Sequence, residues 1–255
     1  MRRSDLHSLG RMPALQPPFQ PQAFADLYGG VSRYRAACGS TIYRQEEAAD
    51  CLHYLEQGRI VLKVASRQGK DAIIGVLDAG TFFGEECLTS RTVRWSTAVC
   101  AVDSVAVRIE KASIVRAIRG DPHFAGVYLR WIVSHGDALK GSLISQLTDG
   151  SAQRLARILL QLARLEAACL EGEAVAGSIK GFDQEALAQM VGTTRSRVNF
   201  FMNRFRDLGH IRYDGHCDGA ITVLDSLWKA VLGQDCGDAA ANFRDADDDE
   251  VLPDR

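Results

Sequence analysis

Several things are missing from this 255-residue chain, and each absence removes a class of function. No apolar run approaches the roughly 18 consecutive residues a membrane-spanning helix needs. Arg2 and Arg3 open the chain, but Ser4, Asp5, His7 and Gln16 interrupt any apolar signal core, so no secretory or twin-arginine leader is expected and the chain is placed in the cytoplasm. The seven cysteines (38, 51, 87, 100, 169, 217 and 236) are never closer than thirteen residues, so no CxxC pair exists for zinc or an iron–sulfur cluster. Free, buried thiols are the expectation. The six histidines form no HExxH motif, and no metal site is expected. There is no GxSxG elbow and no Walker loop, and the adjacent Glu85 and Glu86 are a poor acid/base pair; the chain does not read as an enzyme.

What is present is an ordinary globular composition, 46% apolar and 24% charged, in a length suited to about two domains. Net charge is -2, but eight acids against two arginines crowd the segment after Gln234. The rest of the chain is therefore net positive, which favours a polyanionic partner. Residues 234–255 read as an acidic disordered tail, and residues 1–25, with four of the six prolines, as a flexible arm adding little to the core.

Between these ends the text changes twice. Residues 26–120 hold short β-type runs broken by glycine: Gly58–Val64, a turn at Gln68–Asp71, Ala72–Leu77, a turn at Asp78–Thr81, Phe82–Glu85, Ser96–Ala101 and Ser104–Ile109. Such spacing predicts an antiparallel roll or barrel. Asp121 followed by Pro122 is a strong helix start. Phe124, Tyr128, Trp131, Ile132, His135, Leu139, Leu143 and Leu147 then follow by threes and fours until Asp149-Gly150. A helix of about 25 residues spans roughly 38 Å, and its apolar stripe is read as a dimer seam over 121–149.

Residues 150–233 predict helices at Ser151–Ala168, Asp183–Met190 and Thr194–Leu208, a hairpin of Ile211–Tyr213 and Ala220–Leu224 with Asp-Gly turns, and a last helix at Leu227–Leu232. Asp183 and Thr194 cap two helices that meet at Gly192, which makes a winged helix-turn-helix. On the second helix, at about 100° per residue, Val198, Phe201, Met202, Phe205 and Leu208 face inward. Ser196, Asn199, Phe200, Asn203 and Arg204 face outward. Asn199 suits adenine, Phe200 a thymine methyl, and Arg195 a guanine edge or phosphate. Thr194 and Arg197 complete the candidate DNA-binding set, with packing of Phe200 on the wing or a neighbouring helix as the alternative.

Tyr54–Gly58, Asp78–Glu86, the long helix and Met190–Val198, in that order, resemble the Crp/Fnr family of bacterial transcription regulators. The resemblance implies an α+β fold: an N-terminal β-roll effector domain, a long dimerisation helix and a C-terminal winged helix. It implies a homodimer on a pseudo-palindromic duplex, with RNA polymerase as a further partner. Members that bind cyclic AMP hold it with a Gly-Glu step, a short helix and an Arg-Ser pair. Gly84, Glu85 and Ser96 match that pattern, but Trp95 stands at the arginine position. Arg94, one residue earlier, points to the other face on a regular strand but reaches the anion at a turn, and it is kept in the tentative effector set. Glu86, Cys87 and Thr97 complete the tentative effector set, and a cyclic nucleotide is a candidate effector. Ser196 and Phe200 replace the family's common Glu and Arg base readers, while Arg195 is kept. The competing reading is a cyclic-nucleotide module that regulates a protein partner rather than DNA.

Overall fold

The computed structural model describes residues 19–66, 71–90, 92–166, 175–179, 181–212, 220–224 and 226–232. The expected acidic tail, the Asp-Gly turns of the hairpin, and Cys169, Cys217 and Cys236 lie outside the described residues. The chain divides into two compact units at Ile144/Ser145. No helix among the described residues is long and apolar enough to cross a membrane.

The first unit is an antiparallel roll of two four-stranded sheets. One sheet has the order β1 (Val31–Ala36), β8 (Ser104–Glu110), β3 (Cys51–Gln57), β6 (Thr81–Phe83). The other has the order β2 (Thr41–Tyr43), β7 (Thr97–Cys100), β4 (Arg59–Ala65), β5 (Asp71–Asp78). The predicted β4–β5 pairing runs from Arg59↔Asp78 to Ala65↔Asp71, with a register shift at Leu62/Lys63. Strand β3 is buried on both faces from Cys51 to Leu55, so its sequence shows no alternation. Leu55 joins Ile60, Leu77 and Phe83 between the sheets, whereas Leu52 and Tyr54 face the helices.

Those helices are α1 (Pro21–Tyr28), α2 (Lys111–Gly120) and α3 (Pro122–Thr148). The amino-terminal arm needs correction over its last residues. Phe19 and Phe24 are buried, and Phe19 lies 5.0 Å from Tyr54 and 5.1 Å from Phe82 between ring centroids. Pro21 opens α1, where its missing N–H costs nothing. Residues 1–18 of the arm are outside the described residues. Asp121 caps α3 as expected, its Oδ1 accepting from the N–H of His123 and of Phe124.

The apolar stripe of α3 is two seams, not one. Tyr128, Trp131 and His135 turn inward and are buried, with Phe124 partly so; Tyr128 and Trp131 pack on Phe82. They hold the helix to its own roll and are not free for a second copy. Leu129, Ile132, Val133, Leu139 and Leu143 are exposed on another side. Leu129, Ile132, Gly136, Leu139 and Leu143 follow the alternating three-and-four spacing of a heptad.

The second unit contains α4 (Ser151–Glu166), β9 (Val175–Ile179), α5 (Gln184–Val191), α6 (Arg195–Asp207), β10 (Ile211–Arg212), β11 (Ile221–Leu224) and α7 (Ser226–Leu232). Its sheet has the order β10-β11-β9, so the hairpin gains a third strand that the sequence pattern does not show. Gly177 of β9 packs so closely on the backbone of Ala163 in α4 that a Cβ has no room.

Candidate functional site

In the roll, Gly84 sits at φ 79 and starts the 3-10 turn Glu85–Leu88. Two constraints select glycine: the left-handed backbone, and a guanidinium nitrogen of Arg94 lying where a Cβ would be. Arg94 N–H donates to Glu47 O and its own C=O accepts from Glu46 N–H, an extended pairing that sets the alternation of the segment. Arg94 and Ser96 therefore point inward and Trp95 outward: Arg94 is 1% exposed and Trp95 59%. The structure thus brings Arg94, not Trp95, to the Gly84 turn.

The Arg94 guanidinium is engaged on several sides. Nη1 donates to Gly84 O (3.0 Å), and Nη2 donates to Cys51 O (2.8 Å) and to Cys51 Sγ (3.3 Å). The buried Glu86 carboxylate pairs with it at 3.7 Å, and its carbon lies 4.3 Å from the Tyr43 ring centroid. Sequence spacing gives no sign of the Cys51 and Tyr43 contacts, because both residues lie more than forty positions from Arg94.

Glu85 stands apart from that pair. Its Oε1 is 3.6 Å from His135 Nε2 on α3. Burial, then the neighbouring Glu86 charge, pushes the Glu85 carboxyl up to about 7, against the backbone N–H bonds and Arg94 that favour its ionised form. Burial also lowers His135. Cys87 does not join the site: it packs in the apolar core with Leu52 and Phe82, and burial pushes its thiol up to about 12. Ser96 is buried beside Tyr43, and Thr97 Oγ1 accepts from Gln45 N–H at 3.0 Å. Gly84, Glu86 and Arg94 therefore meet directly, Ser96 joins them through Tyr43 and Glu85 turns to His135, while Cys87 does not join and Thr97 is occupied. Among the described residues no group of three metal-ligating side chains could hold an ion. Cys38 is an exposed free thiol, unlike the buried Cys51, Cys87 and Cys100.

In the second unit, Asp183 accepts from Ala186 N–H at 2.7 Å and Thr194 from Arg197 N–H at 3.3 Å, so both helices carry the side-chain caps their sequences promise. Gly192 at φ 74 turns the chain between them. Arg154 of α4 donates to Val191 O (3.0 Å) and to Asp149 O (2.8 Å), tying the end of α5 to the start of α4. Val198, Phe201, Met202 and Phe205 are buried. Leu208, expected with them, is 52% exposed because the helix ends at Asp207.

On the outer face Arg195, Ser196, Asn199 and Phe200 are exposed, and Arg197, Asn203 and Arg204 are partly covered. Phe200 is 55% exposed, its ring edge-on to Phe201 at 5.4 Å rather than packed away. Asn199 Oδ1 accepts from Gln184 Nε2 (3.2 Å) and from Asn203 Nδ2 (3.4 Å). Gln184, at the start of α5, thus belongs to the same polar face; it lies fifteen residues upstream of Asn199, and no helical spacing connects the two.

Residues 34–121 match the cyclic nucleotide-binding domain model, and residues 153–226 match the Crp-like helix-turn-helix domain model. The chain belongs to the Crp/Fnr family of transcription regulators. It is 24% identical over 207 residues to a CRP-like cAMP-activated global transcriptional regulator of Mycobacterium tuberculosis, covering 81% of this chain and 90% of that one. It is 25% identical over 173 residues to the cAMP-activated global transcriptional regulator CRP of Pasteurella multocida, covering 66% and 79%. Among solved structures, a CRP/FNR-family regulator from Thermus thermophilus matches at TM-score 0.64 and 22% identity, over 78% of this chain and 97% of that one. The c-di-GMP-responsive regulator CLP of Xanthomonas campestris matches at TM-score 0.61 and 16% identity, over 80% and 98%. These matches show a Crp-like regulator with a cyclic-nucleotide-binding-type sensor domain and a helix-turn-helix, and its named relatives are regulators, not enzymes.

Proposed function

We propose that this Crp/Fnr regulator acts as a homodimer that binds double-stranded DNA sequence-specifically through α6. The observation that carries the reading is the outer face of that helix. Phe200 stands exposed at its centre, flanked by Asn199 and Arg195, and an exposed aromatic among polar groups suits a base edge better than water. Arg195 and Arg197 supply charge for phosphate or guanine. Leu129, Ile132, Leu139 and Leu143, exposed at heptad spacing with the half-buried Gly136 between them, support pairing with a second copy. Selection from random duplexes tests this. The expected result is enrichment of two related half-sites about one helical turn apart, with affinity falling steeply with salt. Binding without sequence enrichment would discard the reading. RNA polymerase as a further partner is supported by the family relation alone.

A cyclic nucleotide is the proposed effector, supported by the domain match and by the names of the relatives. Backbone N–H groups of the Glu85–Leu88 turn and the Ser96 hydroxyl suit a phosphate, and Glu85 suits a ribose hydroxyl. For Arg94 to join, it must exchange Gly84 O or Cys51 for the ligand. Calorimetric titration with cyclic AMP and cyclic GMP decides: micromolar binding supports the assignment, and no binding up to millimolar concentration removes it.

A further inference from the structure

Asn199 stands exposed on the outer face of α6 beside Phe200, and its side-chain oxygen is already in use. Oδ1 accepts from Gln184 Nε2 at 3.2 Å and from Asn203 Nδ2 at 3.4 Å. The two donors come from different elements: Asn203 lies about one turn further along α6, and Gln184 opens α5. Both are half-buried. The Asp183 cap fixes the start of α5, and the Gly192 turn leads from α5 towards α6, so the donor from each helix is held by local structure. The outer torsion of an asparagine is broad when nothing restrains it. Here two donors from separate helix positions set which way the amide lies.

That orientation decides what Asn199 shows to a partner. An amide oxygen has two lone pairs and the amide nitrogen two hydrogens. Both lone pairs of Oδ1 are taken, and Nδ2 donates to no group among the described residues. The exposed side of Asn199 therefore offers donors alone. Pairing with adenine, the match that residue type suggests, needs Oδ1 to accept from N6–H while Nδ2 donates to N7. Oδ1 can do so only by releasing Gln184 or Asn203. Under a bound duplex, away from water, the released N–H would stand unpaired. Guanine asks for no such release, because N7 and O6 both accept on its major-groove edge. Cytosine presents a donor there and fits worst.

We propose that Asn199 reads guanine rather than adenine, and that Gln184 is the positioning residue that turns its donors outward. This rests on the reading of α6 as the helix that contacts DNA, and it adds which base one position selects and how a residue of the preceding helix sets that choice.

The test is selection from random duplexes with the full chain and two variants. The parent is expected to enrich a guanine whose preference falls about tenfold in Asn199→Ala, an exposed position that the fold does not need. Gln184→Glu is the decisive variant. A carboxylate only accepts, so Asn199 must turn Nδ2 towards it and Oδ1 outward, and the preference at that step is expected to move from guanine to adenine. The added negative charge weakens binding evenly across sequences and leaves the ranking of bases to report the amide. Adenine at the Asn199-dependent step of the parent would mean that the three amides lie the other way round, and would overturn the assignment. So would an enriched half-site indifferent to Asn199→Ala, or an unchanged guanine preference in Gln184→Glu; in each of these cases α6 keeps its place as the reading helix. No enriched half-site in the parent would overturn both.

Discussion

Arg94 and Gly84 are joined by a 3.0 Å hydrogen bond from Nη1 to the carbonyl oxygen, and the same guanidinium occupies the space a Cβ on residue 84 would need. The Gly84 turn and the buried arginine are thus one packing unit. Replacing Arg94 by Ala strands the Glu86 carboxylate and leaves Gly84 O and Cys51 O without their donor. Breaking a buried pair from one side costs about 3–5 kcal/mol, so urea unfolding of Arg94→Ala should show a loss of that size. Adding Glu86→Leu should recover part of it, because the uncompensated charge goes. Equal stability of the single and double variants would mean that Glu86 does not depend on Arg94.

Phe200 has the opposite character: exposed, and of little consequence to the fold. Phe200→Ala should change unfolding free energy by no more than about 0.5 kcal/mol and leave the association state intact. Duplex selection on the variant should give weaker binding with relaxed preference at one base step. Arg195→Ala should instead weaken binding either at one guanine or evenly across sequences, depending on which contact it makes. An unchanged preference for Phe200→Ala would take that ring out of the reading set.

Much of this is legible in the sequence, and the exceptions share a cause. The caps Asp121, Asp183 and Thr194, the Gly84 and Gly192 turns and the buried face of α6 depend on residues close in sequence, and local chemistry dictates them. Long-range packing is not legible. Phe19 and Phe24 sit in proline-rich text, and only the fold brings them onto Tyr54 and Phe82. The stripe on α3 reads as one face because periodicity counts apolar residues and cannot say which partner takes each. Arg94 reads as one residue out of place because its direction is set by pairing with Glu46 and Glu47, a contact no spacing rule encodes.

Glu85 should make stability depend on pH near neutrality. Its carboxyl is raised from 4.5 to about 7, so the folded state holds the proton more tightly than the unfolded state does. Its contribution is fully present below 4.5 and is lost as pH rises through 7. His135, lowered by burial, works the other way: its contribution is present above 6.5 and is lost as pH falls through its depressed folded value. Unfolding curves of the parent and Glu85→Gln between these limits separate the two. The variant should gain on the parent as pH rises and level off above 7. A difference that does not vary with pH would mean that Glu85 titrates normally.

The two seams of α3 make the last separation. Leu139 and Leu143 are exposed, so a charge there costs the isolated chain little but would face its own charge across the proposed heptad pairing. If the proposed homodimer pairs through this face, Leu139→Glu and Leu143→Glu together should give a monomer by sedimentation, with the circular dichroism of the folded chain retained and only half-site affinity left on DNA. Trp131 is buried against Phe82 and Tyr128, so Trp131→Ala should remove about 3–5 kcal/mol from the sensor unit through the cavity it leaves. If the double glutamate variant stays dimeric, the copies meet on another surface. If Trp131→Ala instead dissociates a stable dimer, the inward seam is shared between copies, and its packing on Phe82 is not what holds the helix to the roll.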